Sequence, residues 1–479
     1  MVKSRGTEIA IGDRRPGCTL TQWLYEELRF AILSGRLKRG VRIPATRSIA
    51  VQYGISRRTV VAAFELLQDE GYITSRTGHG TTVSRTLPND FLPYRRPETL
   101  SKQRVVAHIL SRLQPPIRPF DPISPAVTEF PISLWARLAS RRLRQLSATL
   151  LSGGDPAGYA PLREAIADYV GTSRGVNTRP ENVIVTTGMH HGLDLIARSI
   201  FKPGDQVWVE DPGYSGTTEV IQNAGLVPIA VPVDERGLIV SLGQEKAPRA
   251  KAAFVTPAHQ FPLGSTMSLD RRLELLQWAR ATRAILIEDD YDSEFRFQGR
   301  PIPALQSLDR NGLVLLLGSF NKVLFPGLRF GYIIAPDSLL ERILRLRFQI
   351  DRYPPGPQQA ILCDFINGGH FERHLRKMRE LYAERWRSLR VNADRYLARH
   401  LSLPTIEAGL NTPAYLRTRL TSHQAELAAT KLGIQTLGLD RFVRQRQDIR
   451  GLLLGFAAFN DQQIADGAKL LARALDGRR

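Results

Sequence analysis

Six prolines, Pro88, Pro93, Pro97, Pro115, Pro116 and Pro119, fall in one stretch of about thirty residues, interleaved with Arg95, Arg96, Lys102, Arg104, Arg112 and Arg118. Proline at this density holds a chain extended and keeps it from joining a core. Only Val105–Leu113 has helical apolar spacing there. Residues 86–119 therefore read as a linker. They divide the 479-residue chain into a short module, residues 1–85, and a long one, residues 120–479.

Charge follows the same division. The chain carries 66 Lys+Arg against 46 Asp+Glu, a formal net charge of +20. Residues 1–90 hold 14 against 8 and residues 91–120 hold 6 against 1, so about half the excess lies in the first quarter. That placement suggests a polyanionic partner, nucleic acid first, for the N-terminal part. No apolar run is long enough for a membrane span, and Met1–Ala10 lacks the apolar core of a signal peptide. Two cysteines, Cys18 and Cys363, are too few for a disulfide framework or a structural zinc site. A soluble, cytoplasmic chain is expected, nucleoid-associated when bound to DNA.

In the short module, Leu20, Leu24, Leu28, Ile32 and Leu33 predict one buried helix face. A second short helix runs over Ala45–Tyr53 and stops at Gly54, and Ser56 caps a third with a stripe of Val60, Phe64 and Leu67. Tyr72-Ile73-Thr74 and Thr81-Thr82-Val83 then read as two strands around a Gly78-His79-Gly80 tip. Three helices and a hairpin in this order make a winged helix-turn-helix. Arg57 and Arg58 fall in the first turn of the third helix, the end that enters the major groove. An arginine there can pair bidentately with guanine, worth about 1–3 kcal/mol of discrimination. Arg47 and Thr59 are placed for phosphates or base edges, and the thin tip suits the minor groove. As a block, LYEELRFAILSGRLKRGVRIPATRSIAVQYGISRRTVVAAFELLQDEGYITSRTGHGTTV resembles the winged helix of the GntR family. The resemblance implies DNA reading by Arg47, Arg57, Arg58 and Thr59, with Gly78 and His79 in the wing.

From Phe120 on, short apolar strands alternate with amphipathic helices, which argues for an α/β fold with a largely parallel sheet. Val183–Thr186 runs through Thr187-Gly188 into a helix, a geometry that makes an anion site from free backbone N–H groups. Gln206–Glu210 ends in Asp211-Pro212-Gly213-Tyr214, Ala284–Glu288 in Asp289-Asp290-Tyr291-Asp292, and Leu313–Leu317 in Gly318-Ser319-Phe320-Asn321-Lys322. Functional groups thus gather at strand carboxyl ends, where open α/β sheets hold their ligands. A lysine just beyond a buried strand is expensive to desolvate unless it is paired or modified, and a Schiff base removes that cost.

The segments VEDPGY, VTPAHQFPLG, IEDDYDSEFRFQGRPIPALQ and GSFNKVLFPGLRFGY resemble the aminotransferase-like, fold-type-I domain of the MocR regulators, in which it is fused to a GntR-type winged helix. The resemblance covers nearly the whole chain outside the linker. It implies pyridoxal 5′-phosphate as cofactor, with Lys322 forming the internal aldimine and Asp289 pairing with the pyridine nitrogen. It further implies Tyr291 on the phenolic oxygen, Tyr214 over the ring, and Ser319, Arg329 and the backbone of Gly188 and Met189 on the phosphate. His259 or Gln260 would lie near the ring, while Asp290 and Asp292 only cap or pair nearby.

Three positions depart from the family pattern. Gly153 stands before Gly154-Asp155-Pro156 where an aromatic is usual, so a tyrosine reaching the partner subunit's phosphate is missing. Met189 replaces a small hydroxyl residue and is followed by His190 and His191; no nearby ligand spacing makes that pair a metal site. Leu453 occupies the place of the arginine that fixes a substrate α-carboxylate, with Arg446 and Arg450 out of register. Losing that clamp removes a charge-assisted contact of about 1.5–3 kcal/mol, so efficient transamination is not expected.

The expectation is a homodimeric transcriptional regulator that binds promoter DNA and senses a small amine or the cofactor itself, with RNA polymerase as a further candidate partner. Two rivals stand beside it: a working aminotransferase tethered by its winged helix, and a regulator whose large domain is a cofactor-free dimerisation scaffold. The basic stretch 371–390 reads as a solvated helix, with a lie along DNA phosphates as the alternative.

Overall fold

The computed structural model describes residues 9–12, 14, 17–76, 80–87 and 118–476. The chain divides into two compact units, Met1–Leu113 and Gln114–Arg479. Among the described residues no helix is long and apolar enough to cross a membrane.

The first unit is built on three helices, α1 (Leu20–Leu33), α2 (Thr46–Tyr53) and α3 (Arg57–Asp69). Leu24, Leu28 and Ile32 of α1 pack in one core with Val60, Phe64 and Leu67 of α3. Leu20 and Leu33, expected in that stripe, are instead exposed. Leu33 is turned about 100° from Ile32 and so off the buried face, while Leu20 is the first residue of α1, at its open end. Gly54, at φ 62°, closes α2 in the left-handed conformation and starts the turn into α3. Ser56 accepts the Thr59 N–H at 3.0 Å, the cap expected for α3. Strands β1 (Ile73–Arg76) and β2 (Gly80–Val83) pair antiparallel from Ile73↔Val83 to Arg76↔Gly80. The Val41–Ile43 backbone adds to the other edge of β2, with Arg42 bridging Thr82. The fold is a winged helix.

The second unit is centred on eight strands: β3 (Val183–Thr186), β4 (Gln206–Asp211), β5 (Val227–Asp234), β6 (Gly237–Leu238), β7 (Ala252–Val255), β8 (Ile285–Asp290), β9 (Val314–Ser319) and β10 (Gly331–Ile334). They lie in the order β3-β10-β9-β8-β7-β4-β5-β6. Pairs β9–β8, β8–β7, β7–β4 and β4–β5 are parallel, but β10 runs antiparallel to both neighbours. The sheet is therefore mixed rather than simply parallel. The reason is the β9–β10 connection, too short and without the crossover helix that a parallel return needs. Because β10 is inverted, β3 again runs with β9 and its carboxyl end returns to the same edge of the sheet.

A second, antiparallel sheet follows, β11 (Leu401–Ser402), β12 (Asn411–Leu416), β13 (Leu437–Gly438) and β14 (Gly451–Gly455), ordered β11-β12-β14-β13. Leu452 and Leu454 of β14 share a core with Leu375, Met378, Tyr382 and Trp386 of the helix His370–Tyr396. The segment at the end of the linker is fastened to this sheet: Gly455 N–H donates to the Phe120 carbonyl at 2.9 Å, Gln435 N–H to Pro119 at 3.0 Å and Asn411 Nδ2 to Pro122 at 2.9 Å. A Cβ on Gly455 would stand 1.9 Å from the Asp121 carbonyl oxygen, so only glycine fits.

Candidate functional site

Parallel strands β3, β4, β8 and β9 end along one edge, and the residues just beyond them meet there. Strand β8 carries Asp289 and Asp290 on opposite faces. Asp290 accepts Arg174 Nε at 2.8 Å, and both side chains are buried. Asp289 is also buried, but its Oδ1 has no hydrogen-bond partner among the described residues. Burial, followed by repulsion from Asp290 and Asp292, pushes the Asp289 carboxyl well above its ordinary value. A buried acid of this kind gains most from a cationic N–H donor placed against its open oxygen.

Lys322 lies three residues past the end of β9. Burial lowers its ammonium to about 8, against the opposing pull of Asp292 and Asp121. More of it is therefore the free, nucleophilic amine near neutrality than for an ordinary lysine. Its Nζ donates to the Ile123 carbonyl, in the segment fastened to the second sheet. Neither Ile123 nor Asp121 is visible as a site residue in the sequence, because both belong to a stretch without periodicity.

The helix Met189–Ile200 starts at Gly188, whose φ is 109° and whose position offers no side-chain cap. A Cβ on Gly188 would meet Asn321 Nδ2 at 3.0 Å and Arg329 Nη2 at 3.7 Å. The guanidinium thus lies beside the start of this helix, where open backbone N–H groups and a cation both favour an anion. Ser319 Oγ accepts the Asn321 N–H at 3.3 Å, and Asn321 Oδ1 accepts the Phe330 N–H at 3.1 Å. Asn321 is a site residue that sequence reasoning missed, although it sits inside the GSFNK segment.

Tyr214 is held by His190, whose Nε2 lies 3.0 Å from the phenolic oxygen. His191 turns instead to Thr187, 2.9 Å from its Oγ1. The two adjacent histidines therefore diverge. Tyr291 and Asp292 converge on His259: its Nδ1 is 3.0 Å from the Tyr291 hydroxyl and 3.0 Å from both Asp292 oxygens. Burial, then the Asp292 and Asp289 charges, hold the Tyr291 phenol well above its ordinary value. Gln260 is committed elsewhere, its Nε2 donating to Glu210 at 3.0 Å and to the Pro212 carbonyl at 2.9 Å.

At the departures, Gly153 has a φ of 139°, and a Cβ there would meet the Tyr353 hydroxyl at 2.9 Å. A tyrosine distant in sequence thus fills the space beside Gly153. Leu453 is buried with Leu439 and Phe442, against Phe261 and Tyr415. Phe261 in turn packs edge-on against Tyr214 and Tyr291, so this corner of the site is apolar. Arg446 is tied to Asp448 and donates to the Val233 carbonyl at 2.7 Å. With Tyr415 and exposed Arg450 it lines a cavity of about 340 Å³.

In the winged helix, Arg47, Arg57 and Arg58 are exposed. Thr59 is half-buried, its hydroxyl 2.8 Å from Ser56 Oγ and so engaged at the helix cap. Gly78 and His79 lie outside the described residues. Arg42, overlooked in the sequence, crosses Gly80 so closely that a Cβ there would meet its Nε at 2.8 Å. In the basic helix His370–Tyr396, Lys377 pairs with Glu129, Arg379 donates to the Glu294 carbonyl and buried Arg385 to the Ala457 carbonyl. Part of that helix's charge is used inside the unit, while Arg373, Arg376, Lys377, Arg379 and Arg387 remain exposed.

Residues 20–83 match the family described as "Bacterial regulatory proteins, gntR family", and residues 129–405 match "Aminotransferase class I and II". The chain is 38% identical to the probable rhizopine catabolism regulatory protein MocR of Rhizobium meliloti, over 96% of this chain and 95% of that one. It is 34% identical to the pyridoxine biosynthesis transcriptional regulator PdxR of Corynebacterium glutamicum, over 79% of each. Among solved structures it resembles LysN, the alpha-aminoadipate aminotransferase of Thermus thermophilus, at 28% identity and a TM-score of 0.70, covering 77% of this chain and 94% of that one. A DNA-reading module and a fold-type-I aminotransferase domain in one chain, with relatives that match over nearly its full length, place this protein in the MocR subfamily of GntR-type transcriptional regulators.

Proposed function

We propose that this regulator signals through capture of a primary amine at Lys322 in a pyridoxal phosphate site. The observation that carries the reading is the convergence, at one sheet edge, of an amine lowered to about 8, a buried acid with an open oxygen and a helix start at Gly188 beside Arg329 that favours an anion. When bound, the cofactor supplies an aldehyde with which amines exchange. Asp289 would hold the ring nitrogen, Tyr291, bonded to His259, would hold the phenolic oxygen, and Tyr214, steadied by His190, would lie against the ring. Ser319, Arg329 and the backbone of Gly188 and Met189 would hold the phosphate.

Leu453, Phe442 and Phe261 make one corner apolar, which favours an amine recognised without an arginine clamp on an α-carboxylate and disfavours efficient transamination. The relative named for pyridoxine biosynthesis keeps pyridoxal phosphate itself among the candidate effectors. In this reading residues 1–85 bind promoter DNA, residues 86–119 link, and residues 120–479 sense and dimerise, in the cytoplasm, with RNA polymerase as a partner to test. Transmission starts at residues 119–123, which are bonded both to the second sheet and to Lys322. A change at Lys322 thereby reaches the first described residues after the linker.

Lys322→Ala tests the assignment. It removes the cofactor's visible absorbance band and the effect of added amines on DNA affinity, while binding of the effector-free protein to DNA persists. An amine response that survives the substitution unchanged refutes the role given to Lys322.

A further inference from the structure

The helix Ile132–Arg144 holds Arg137, Arg141, Arg142 and Arg144 and no acidic residue. Arg142 turns inward, its Nε donating to Asp364 at 2.9 Å. Arg137, Ser140, Arg141 and Arg144 are exposed and follow i, i+3, i+4, i+7 spacing, so they form one stripe along the helix. Together with Gln145 they line an open groove of about 380 Å³. Among the described residues Arg137 and Arg144 have no hydrogen bond or ion pair, and Arg141 has only Asp364 at 3.9 Å, already engaged by Arg142. Arg373, at the start of the helix His370–Tyr396, adds a fourth exposed cation. After burial, Arg373, Arg137 and Arg141 together hold His370 below its ordinary value, which puts all three around one spot.

Like charges gathered in this way repel one another, and an unpaired arginine stripe is eased by a polyanion. The stripe is about 10 Å long at 1.5 Å per residue, and one DNA strand presents a phosphate about every 3.4 Å along its axis, so the stripe spans about three phosphates. We propose that this stripe on the aminotransferase-like unit is a second DNA-backbone contact, independent of base reading by the winged helix. DNA is favoured over an acidic protein because the same chain carries a DNA-binding module. The thirty residues 88–117 span up to about 100 Å if extended, enough chain for both surfaces to engage one duplex. The proposal does not depend on the identity of the effector or on amine capture at Lys322.

The test uses the full-length, cofactor-loaded protein and a long duplex of arbitrary sequence, with affinity followed as a function of salt. Arg137→Ala/Arg141→Ala/Arg144→Ala lowers the slope of log affinity against log salt by about 3 per protomer, while the cofactor absorbance and the unfolding temperature stay as in the parent. The corresponding triple Lys variant keeps the parental slope, since phosphate contacts need charge rather than the guanidinium fork. A slope change in the Ala variant smaller than one phosphate contact, or a Lys variant that loses as much as the Ala variant, overturns the proposal.

Discussion

In the winged helix, Arg47, Arg57 and Arg58 stand exposed, whereas six arginines of the aminotransferase-like unit, Arg163, Arg174, Arg271, Arg272, Arg347 and Arg385, are buried. The buried ones are anchored by carbonyls and carboxylates. Arg272 donates to the carbonyls of Met267, Pro303 and Pro257, Arg271 to those of Gly237 and Leu238, and Arg174 to Asp290 and the Ile302 carbonyl. The difference teaches that one residue type does two jobs in this chain. The exposed guanidiniums of the first unit are open to solvent; the buried ones of the second tie loops to strands, where a buried charge is tolerated because most of its donors are engaged. Net charge reports the first use and hides the second. The stripe on Ile132–Arg144 gathers exposed arginines of the second unit on one helix face.

The sharpest way to break this comparison is to remove a buried guanidinium. Arg174→Ala leaves the buried Asp290 carboxyl without its partner beside Glu288, at a cost of about 3–5 kcal/mol. Thermal unfolding is expected to shift down by roughly 1–2 °C per kcal/mol in a unit of this size, with Asp289 and the cofactor site disturbed next. An Arg174 variant as stable as the parent removes the distinction between the two kinds of arginine. The smaller effect comes from the other side. Arg57→Ala costs about 1–3 kcal/mol of discrimination between DNA sequences, read by competition between duplexes, and leaves the unfolding temperature unchanged. If it lowers stability and spares sequence preference, Arg57 belongs with the buried set.

These two uses also explain what could be read in advance. The winged helix was legible because its signals are local: Ser56 before the third helix, Gly54 after the second, and the four-residue spacing of Leu24, Leu28 and Ile32. In the larger unit the apolar strands marked where functional groups would gather, since each strand ends in polar residues at the same sheet edge. What stayed hidden was long-range. Nothing local announces that Tyr353 fills the space beside Gly153, that Asp292 and Tyr291 share one nitrogen of His259, or that Ile123 faces Lys322. Periodicity reports which face is buried, not which distant residue it meets. The basic run 371–390 is mostly solvated, as expected, with Arg373, Arg376, Lys377, Arg379 and Arg387 exposed, but its periodicity did not reveal that Arg385 is buried.

The central claim is that chemistry at Lys322 and occupancy of DNA are one linked event. The most direct measurement titrates the cofactor-loaded, full-length protein with primary amines while recording cofactor absorbance and DNA-binding anisotropy in the same sample. The account predicts that, for the effective amine, both signals change together with one half-saturation point, as linkage between two sites on one molecule requires. A DNA response without any change in absorbance, or two half-saturation points far apart, contradicts it.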